Sequence, residues 1–316
     1  MLKAFFSAQF QEIDRFFFRR IHATGFGMMR ICWALTTFIF LLMRREDVPL
    51  LYSDAGIMPM NMLYSTHRIA HRFSILDIAS NPLDVWVLYS ILLVLLLLMA
   101  LGLWTRGVTI ASVILLFSFH ERNILPLAGG DTILRCIGFI LMIAPGIQAW
   151  SIDRARQQWA QWTISKKLLP PLTMSIWPQR LLLWQFAVLY LMSGWDKTIG
   201  DMWWEGTAVS SALHHISFSR FPLWIADLLS PLSPLFCYAV ILFEASWMTL
   251  LVPARSWYIL TAGFVRYHIL KRIILSCGVL FHGSILVMMQ VGSFPFAMVT
   301  GYLGLLDETD FQALRT

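Results

Sequence analysis

A chain of 316 residues that is 58% hydrophobic and 13% charged lies well below the roughly 25% charge of an ordinary soluble domain. The net charge of +6 is scattered between apolar runs rather than gathered into a basic module, which argues against nucleic acid as a partner. The four cysteines (Cys32, Cys136, Cys237, Cys277) each fall inside an apolar run, at spacings that suit neither a disulfide framework nor a zinc site, so no metal is expected. These features point to an all-α fold: a polytopic transmembrane helix bundle with about eight membrane segments, six or seven being the fallbacks, and interfacial amphipathic helices.

In chain order, residues 1–24 come first. Phe5, Phe6, Phe10, Ile13, Phe16 and Phe17 recur at helical spacing among charges, and no small-residue cleavage site follows a short apolar run. An amphipathic helix lying in the membrane interface is expected there. The transmembrane domain is expected over 25–308, with spans at 25–43, 85–103, 108–125, 132–147, 181–195, 234–252 and 273–290. A thirteen-residue segment, 294–306, is marginal for a crossing. Residues 309–316 read as a short cytoplasmic tail.

The first loop, 44–82, is long and polar and contains His67 and His71 at i, i+4 spacing. No carboxylate completes a metal motif, so surface histidines are the plainer reading. The loop at 153–179 begins as an amphipathic helix in which Trp159 and Trp162 alternate with Arg154, Arg156, Lys166 and Lys167, a pattern suited to an anionic leaflet. The stretch 255–272 mixes apolar and basic residues and is placed at the inner interface. With the N-terminus inside, fifteen basic residues fall on inner segments and seven, including Arg44, Arg45 and Lys197, on outer ones, as the positive-inside rule requires.

Ionisable residues inside the spans are the expensive ones. Each costs roughly 2.5–3.5 kcal/mol on insertion scales, so they should pair within the bundle. Arg30, Asp131, Arg135, Asp153 and Glu244 read as a structural polar cluster. Asp131 is placed to cap its helix, with Arg135 one turn on as a pairing candidate. Glu244 and His282 have no local partner and are expected to face the interior.

Lys197 differs from these. It lies in Tyr190-Leu-Met-Ser-Gly194-Trp-Asp-Lys197, read as the outer end of an apolar helix. Snorkelling to water is the bland explanation. A lysine that acts as a base must shed its proton. Burial against Trp195, Trp203 and Trp204 favours that, while Asp196, Asp201 and Glu205 oppose it unless they point away.

These elements resemble the HTTM membrane domain, a family that shares its fold with the membrane part of vitamin K-dependent gamma-carboxylase. Arg122-Asn123, Gly129-Gly130-Asp131, Ser151-Ile152-Asp153, Gln185, the Tyr190–Gly194 segment, Lys197, Trp204-Glu205-Gly206 and Phe281-His282 run in family order over about residues 15–308. The resemblance implies that Lys197 is the catalytic base toward a reduced lipid quinone of the vitamin K type. It puts Arg122, Asn123, Tyr190, Trp204 and His282 around that cofactor. Membrane lipids, a secreted peptide or protein substrate and a redox partner would be the partners. Two features depart from the carboxylase: it has a large lumenal part after its membrane domain, and it has a histidine where residues 129–135 here hold none. The length is closer to shorter bacterial members, one type of which matures a secreted peptide toxin, so a bacterial inner membrane is expected. The alternative is a non-enzymatic accessory protein for maturation or export of a secreted peptide. A transporter ranks third, because no paired broken-helix pattern recurs in two halves.

Overall fold

A computed structural model describes residues 17–64, 72–252, 257 and 261–313. The His67/His71 pair, the amphipathic stretch before Phe17 and most of 253–260 lie outside the described residues. The described chain is mostly helical. Its helices pack as two compact units, Met1–Pro178 and Gln179–Thr316, within the stretch read above as one membrane domain.

The first unit opens with a short strand, β1 (Arg20–His22). It pairs antiparallel with β2 (Thr173–Ser175), Ile21 opposite Met174, a small ribbon that an all-helical reading leaves out. Between the strands run α1 (Thr24–Met43), α2 (Val48–Tyr52), α3 (Met60–Tyr64), α4 (Pro82–Leu101), α5 (Thr105–Arg122), α6 (Gly129–Ile143) and α7 (Ile152–Ser165).

Helix α4 has the length and apolar character of a membrane span. Asn81 caps it by accepting the Asp84 N–H at 3.0 Å, Pro82 fills the first turn, and Gly102 closes it at φ 71°, where a Cβ would be strained. Val85, Tyr89, Leu92, Leu96 and Met99 form its buried stripe. The opposite face carries Leu83, Val87, Ile91, Val94, Leu97 and Leu101, all exposed. A soluble helix would place polar residues there, so an apolar outer face calls for lipid.

Among the described residues, four helical stretches are long and apolar enough, by length and composition, to cross a membrane: Thr24–Met43, Pro82–Leu101, Leu223–Leu251 and Tyr267–Met288. A helix also lies on each of the other segments read as spans, with shifted ends.

Large side chains in the first unit pack against missing ones. The buried Trp33 donates its indole N–H to the Leu134 carbonyl at 2.7 Å, and its ring fills the space before Gly138, where a Cβ would come within 2.9 Å. Arg30 donates to the Met99 carbonyl and, at 2.9 Å, to the Trp150 carbonyl, so a buried cation sits on the C-terminal end of α4. Asp153 takes the Thr105 N–H and hydroxyl, both at 2.7 Å, and so caps α5 across 48 positions of sequence. Burial pushes its carboxyl up, but the hydrogen bonds from Thr105 and Trp104, with Arg156 nearby, outweigh that and hold it below the usual carboxylate value. Helix α7 buries none of its residues and exposes Trp159, Trp162 and Ile164, as an interfacial helix does.

The second unit contains α8 (Trp177–Ile199), α9 (Asp201–Trp204), α10 (Ala208–His214), α11 (Leu223–Leu229), α12 (Ser233–Ser246), α13 (Tyr267–Met288), α14 (Phe294–Leu305) and α15 (Glu308–Ala313). A 3-10 turn, Trp247–Leu251, extends α12. Residues 307–313 pack against α13. Lys271 reaches Asp307 at 2.6 Å and Asp310 at 2.5 Å, and Arg272 reaches Asp310 at 2.8 Å, docking α15 on α13. Burial would raise the Asp307 carboxyl, yet Lys271 and Thr309 hold it below its ordinary value.

Candidate functional site

The candidate site is built on α8 of the second unit. Lys197 lies within the last turn of this helix, not past its end. At i, i+4 spacing it meets Ser193, whose hydroxyl accepts from the ammonium at 2.7 Å. The same nitrogen donates to Glu244 Oε1 on α12 at 2.9 Å, and Ser193 Oγ donates to that oxygen at 3.0 Å. The Lys197 side chain is 18% exposed and that of Glu244 only 4%. Gly194 gives this approach its room, since a Cβ there would already touch Glu244 at 3.4 Å. Glu244 Oε2 is buried with no hydrogen-bond partner.

The aromatics divide unevenly around the lysine. Trp203 stacks its ring 5.1 Å from Nζ, while Trp195 and Trp204 are exposed. Trp204 instead donates its indole N–H to the Thr198 carbonyl at 2.7 Å, pinning the turn after α8. Asp196, Asp201 and Glu205 are exposed. The carboxylate that faces Lys197 is therefore Glu244, 47 positions away, rather than any of its near neighbours.

Two turns earlier on α8, Tyr190 is buried, and its hydroxyl meets His282 Nε2 on α13 at 2.7 Å and the Tyr302 hydroxyl on α14. Trp247 stacks on Tyr190 at 4.7 Å and on Tyr302 at 5.3 Å, with Phe186 and Phe243 packed alongside. Tyr302 itself fits against Gly278, where a Cβ would come within 2.8 Å of its ring. Tyr302 and Trp247 were not singled out from sequence. No motif marks them, and only the small residue at 278 hints that something large lies opposite. His282 Nδ1 and Trp247 Nε1 are buried without partners.

The remaining expected site residues lie in the first unit. Arg122 is fully buried and donates to the Met58 carbonyl at 2.8 Å and to Asp54 at 3.0 Å. Asn123 donates to the Leu51 carbonyl at 2.8 Å. Both hold the first loop in place. Asp131 accepts the Ala128 N–H at 2.9 Å, the capping role expected of it, although Ala128 offers no side-chain acceptor in return. Arg135 turns to Glu121 on α5 and lies over the Phe117 ring, a different partner from the one expected on its own helix. Of the five residues read as a polar cluster, Arg30 and Asp153 lie near the end of α4, Asp131 and Arg135 lie on α6, and Glu244 lies beside Lys197 in the second unit. Among the described residues no group of three or more His, Cys, Asp or Glu side chains could hold a metal.

No family model, curated protein or solved structure gives a significant match to the chain. Its own fold and site define a mostly helical protein with membrane-length apolar helices, carrying a part-buried lysine–carboxylate pair at a helix end. Chemically, such a pair holds one exchangeable proton between an amine and a carboxyl, beside an unpartnered carboxylate oxygen.

Proposed function

We propose that this chain is a multi-pass membrane protein of the HTTM type, with eight crossings and both termini inside. In this reading it uses a reduced lipid quinone to modify a secreted peptide or protein at the outer face of a bacterial inner membrane. The observation that carries the reading is the Lys197–Glu244–Ser193 arrangement, a part-buried amine–carboxyl pair, a costly device at a helix end in an apolar setting.

The residues present suit a hydroquinone. Its O–H groups need a buried acceptor, which Glu244 Oε2 supplies. Its ring needs aromatic surface, which Trp203 offers beside the amine. When bound, the quinol would supply acidic hydroxyls and two reducing equivalents, with molecular oxygen as their acceptor. With the pair's one exchangeable proton released, Lys197 as the free amine would take a proton at Nζ. Glu244 receives it at Oε1 along the 2.9 Å bond, and Ser193 keeps both groups aligned. The buried Tyr190–His282–Tyr302 group, joined to the helix of Lys197 through Tyr190, is a second proton-bearing set. The accessory reading keeps the same fold without chemistry, and the same residues decide between them.

Purified protein mixed with a reduced short-chain naphthoquinone should show saturable quenching of tryptophan fluorescence, weakened by Glu244→Gln. Quenching that is linear in quinol and indifferent to that substitution would leave the quinone reading without support.

The orientation has its own test. Ser53 is buried against the Pro49 carbonyl, so the exposed Glu46 is the better outer probe. An impermeant thiol reagent on intact cells should label Glu46→Cys and spare Ser165→Cys. The reverse pattern would invert the topology.

A further inference from the structure

A mostly apolar cavity in the first unit is bordered by two polar side chains whose hydrogen-bonding capacity is unmet. It measures about 30 Å3 and is bordered by Thr37 of α1, Tyr52 of α2, Leu116 and His120 of α5, and Asp131 and Leu134 of α6. Thr37 is 3% exposed and His120 5%. Thr37 Oγ1 and His120 Nδ1 are both buried with no hydrogen-bond partner. Orphaned buried polar atoms are rare, and each calls for an explanation.

Neighbouring hydroxyls show what satisfaction looks like here. Ser112 and Ser118 of α5 return to the carbonyls of Val108 and Ile114 at 2.8 and 3.0 Å, and Tyr89 donates to the Leu41 carbonyl at 2.6 Å. Thr37 makes no such return bond. Thr37 and His120, each with one unpartnered buried atom, border the same small space from two different helices.

Size and charge select the occupant. A buried water needs about 10–15 Å3 by this measure and two to four polar partners. The cavity therefore holds one or two waters, whereas an organic ligand needs a pocket of roughly 300 Å3 or more. The charged groups at its wall, Arg44 and Asp131, are of opposite sign, so neither a cation nor an anion is favoured over a neutral guest. Water is both donor and acceptor, and so it serves either tautomer of His120 together with the threonine hydroxyl.

We propose that this cavity is a water-binding site in which one or two waters bridge Thr37 Oγ1 to His120 Nδ1 and so join α1 to α5. The bridge replaces a direct interhelical hydrogen bond in a region where lipid offers no substitute.

The sign of one substitution tests it. Thr37→Val keeps the shape and removes the hydroxyl. If water is bound, the variant strips it of a partner and should lower the melting temperature of the detergent-solubilised protein by a few degrees. If the cavity is dry, the same change deletes an unsatisfied polar atom, and the melting temperature should hold or rise. Either of those outcomes overturns the proposal. A second measurement on the unsubstituted chain covers the case in which the variant fails to fold. Radiolytic labelling with 18O water should modify Tyr52 and Leu116, which border the cavity, faster than Phe26 and Leu92, which are at least as buried but do not border it. Equal rates would also overturn it.

Discussion

Lys197→Ala is expected to reduce quinol consumption by membranes containing the protein by about 10²–10⁴-fold, the usual contribution of a positioned general base. Lys197→Arg should fail to restore it. A guanidinium can keep the contact to Glu244, but it does not give up its proton in a protein. Full activity in Lys197→Arg would reduce Lys197 to a fixed cation and leave the accessory reading in possession.

The pair's geometry complicates the simplest version of that experiment. Removing one member of a buried ion pair costs about 3–5 kcal/mol, because the survivor stays buried without its partner. With Lys197 18% exposed, the lower end of that range applies, and Glu244 can still take up a proton and bond to Ser193. Loss of stability must therefore be separated from loss of chemistry. The double substitution Lys197→Met with Glu244→Gln leaves no buried charge and retains a polar partner for Ser193. It should recover most of the melting temperature lost by Lys197→Ala while remaining inactive, a non-additivity that marks direct coupling.

The positions of the long helices follow from apolar runs alone. The stripe on α4 alternates between Tyr89, Leu92 and Leu96 inside and Val87, Ile91 and Val94 outside, and only the lipid-facing character of the second set needed the packing to become visible. Lys197 stood out through its setting after Ser193 and Gly194. What sequence did not disclose is the rotation of one helix against another. Glu244 faces Lys197 across 47 positions, and Tyr190 meets Tyr302 across 112. No periodicity within one helix encodes which face its neighbour presents. The same limit explains Arg135, for which a partner was sought on its own helix at Asp131, whereas the structure supplies Glu121 from α5. Asp153 capping α5 from the start of α7 is a third instance, because the cap comes from outside the usual local window.

Glu244→Gln is the most discriminating single change. The amide is nearly isosteric with the carboxylate, so packing against Gly194 is kept, and its oxygen still accepts from Ser193 or Lys197. The counter-charge is lost, and with it the group that receives the proton taken by Nζ. Lys197 then keeps the Ser193 hydroxyl but no anionic partner. If Glu244 only anchored a charged lysine, this would leave a more available amine and activity would be kept or raised. If Glu244 is the proton acceptor behind Lys197, each turnover leaves the proton on Nζ with no route onward. Quinol consumption should then fall by at least about 10²-fold, with expression and insertion close to the parent's. Glu244→Leu should be equally inactive but less stable than Glu244→Gln, because the Ser193 hydroxyl and the Lys197 amine would both face an apolar side chain. Undiminished turnover in Glu244→Gln would remove the carboxylate from the chemistry and leave Lys197 to act through solvent.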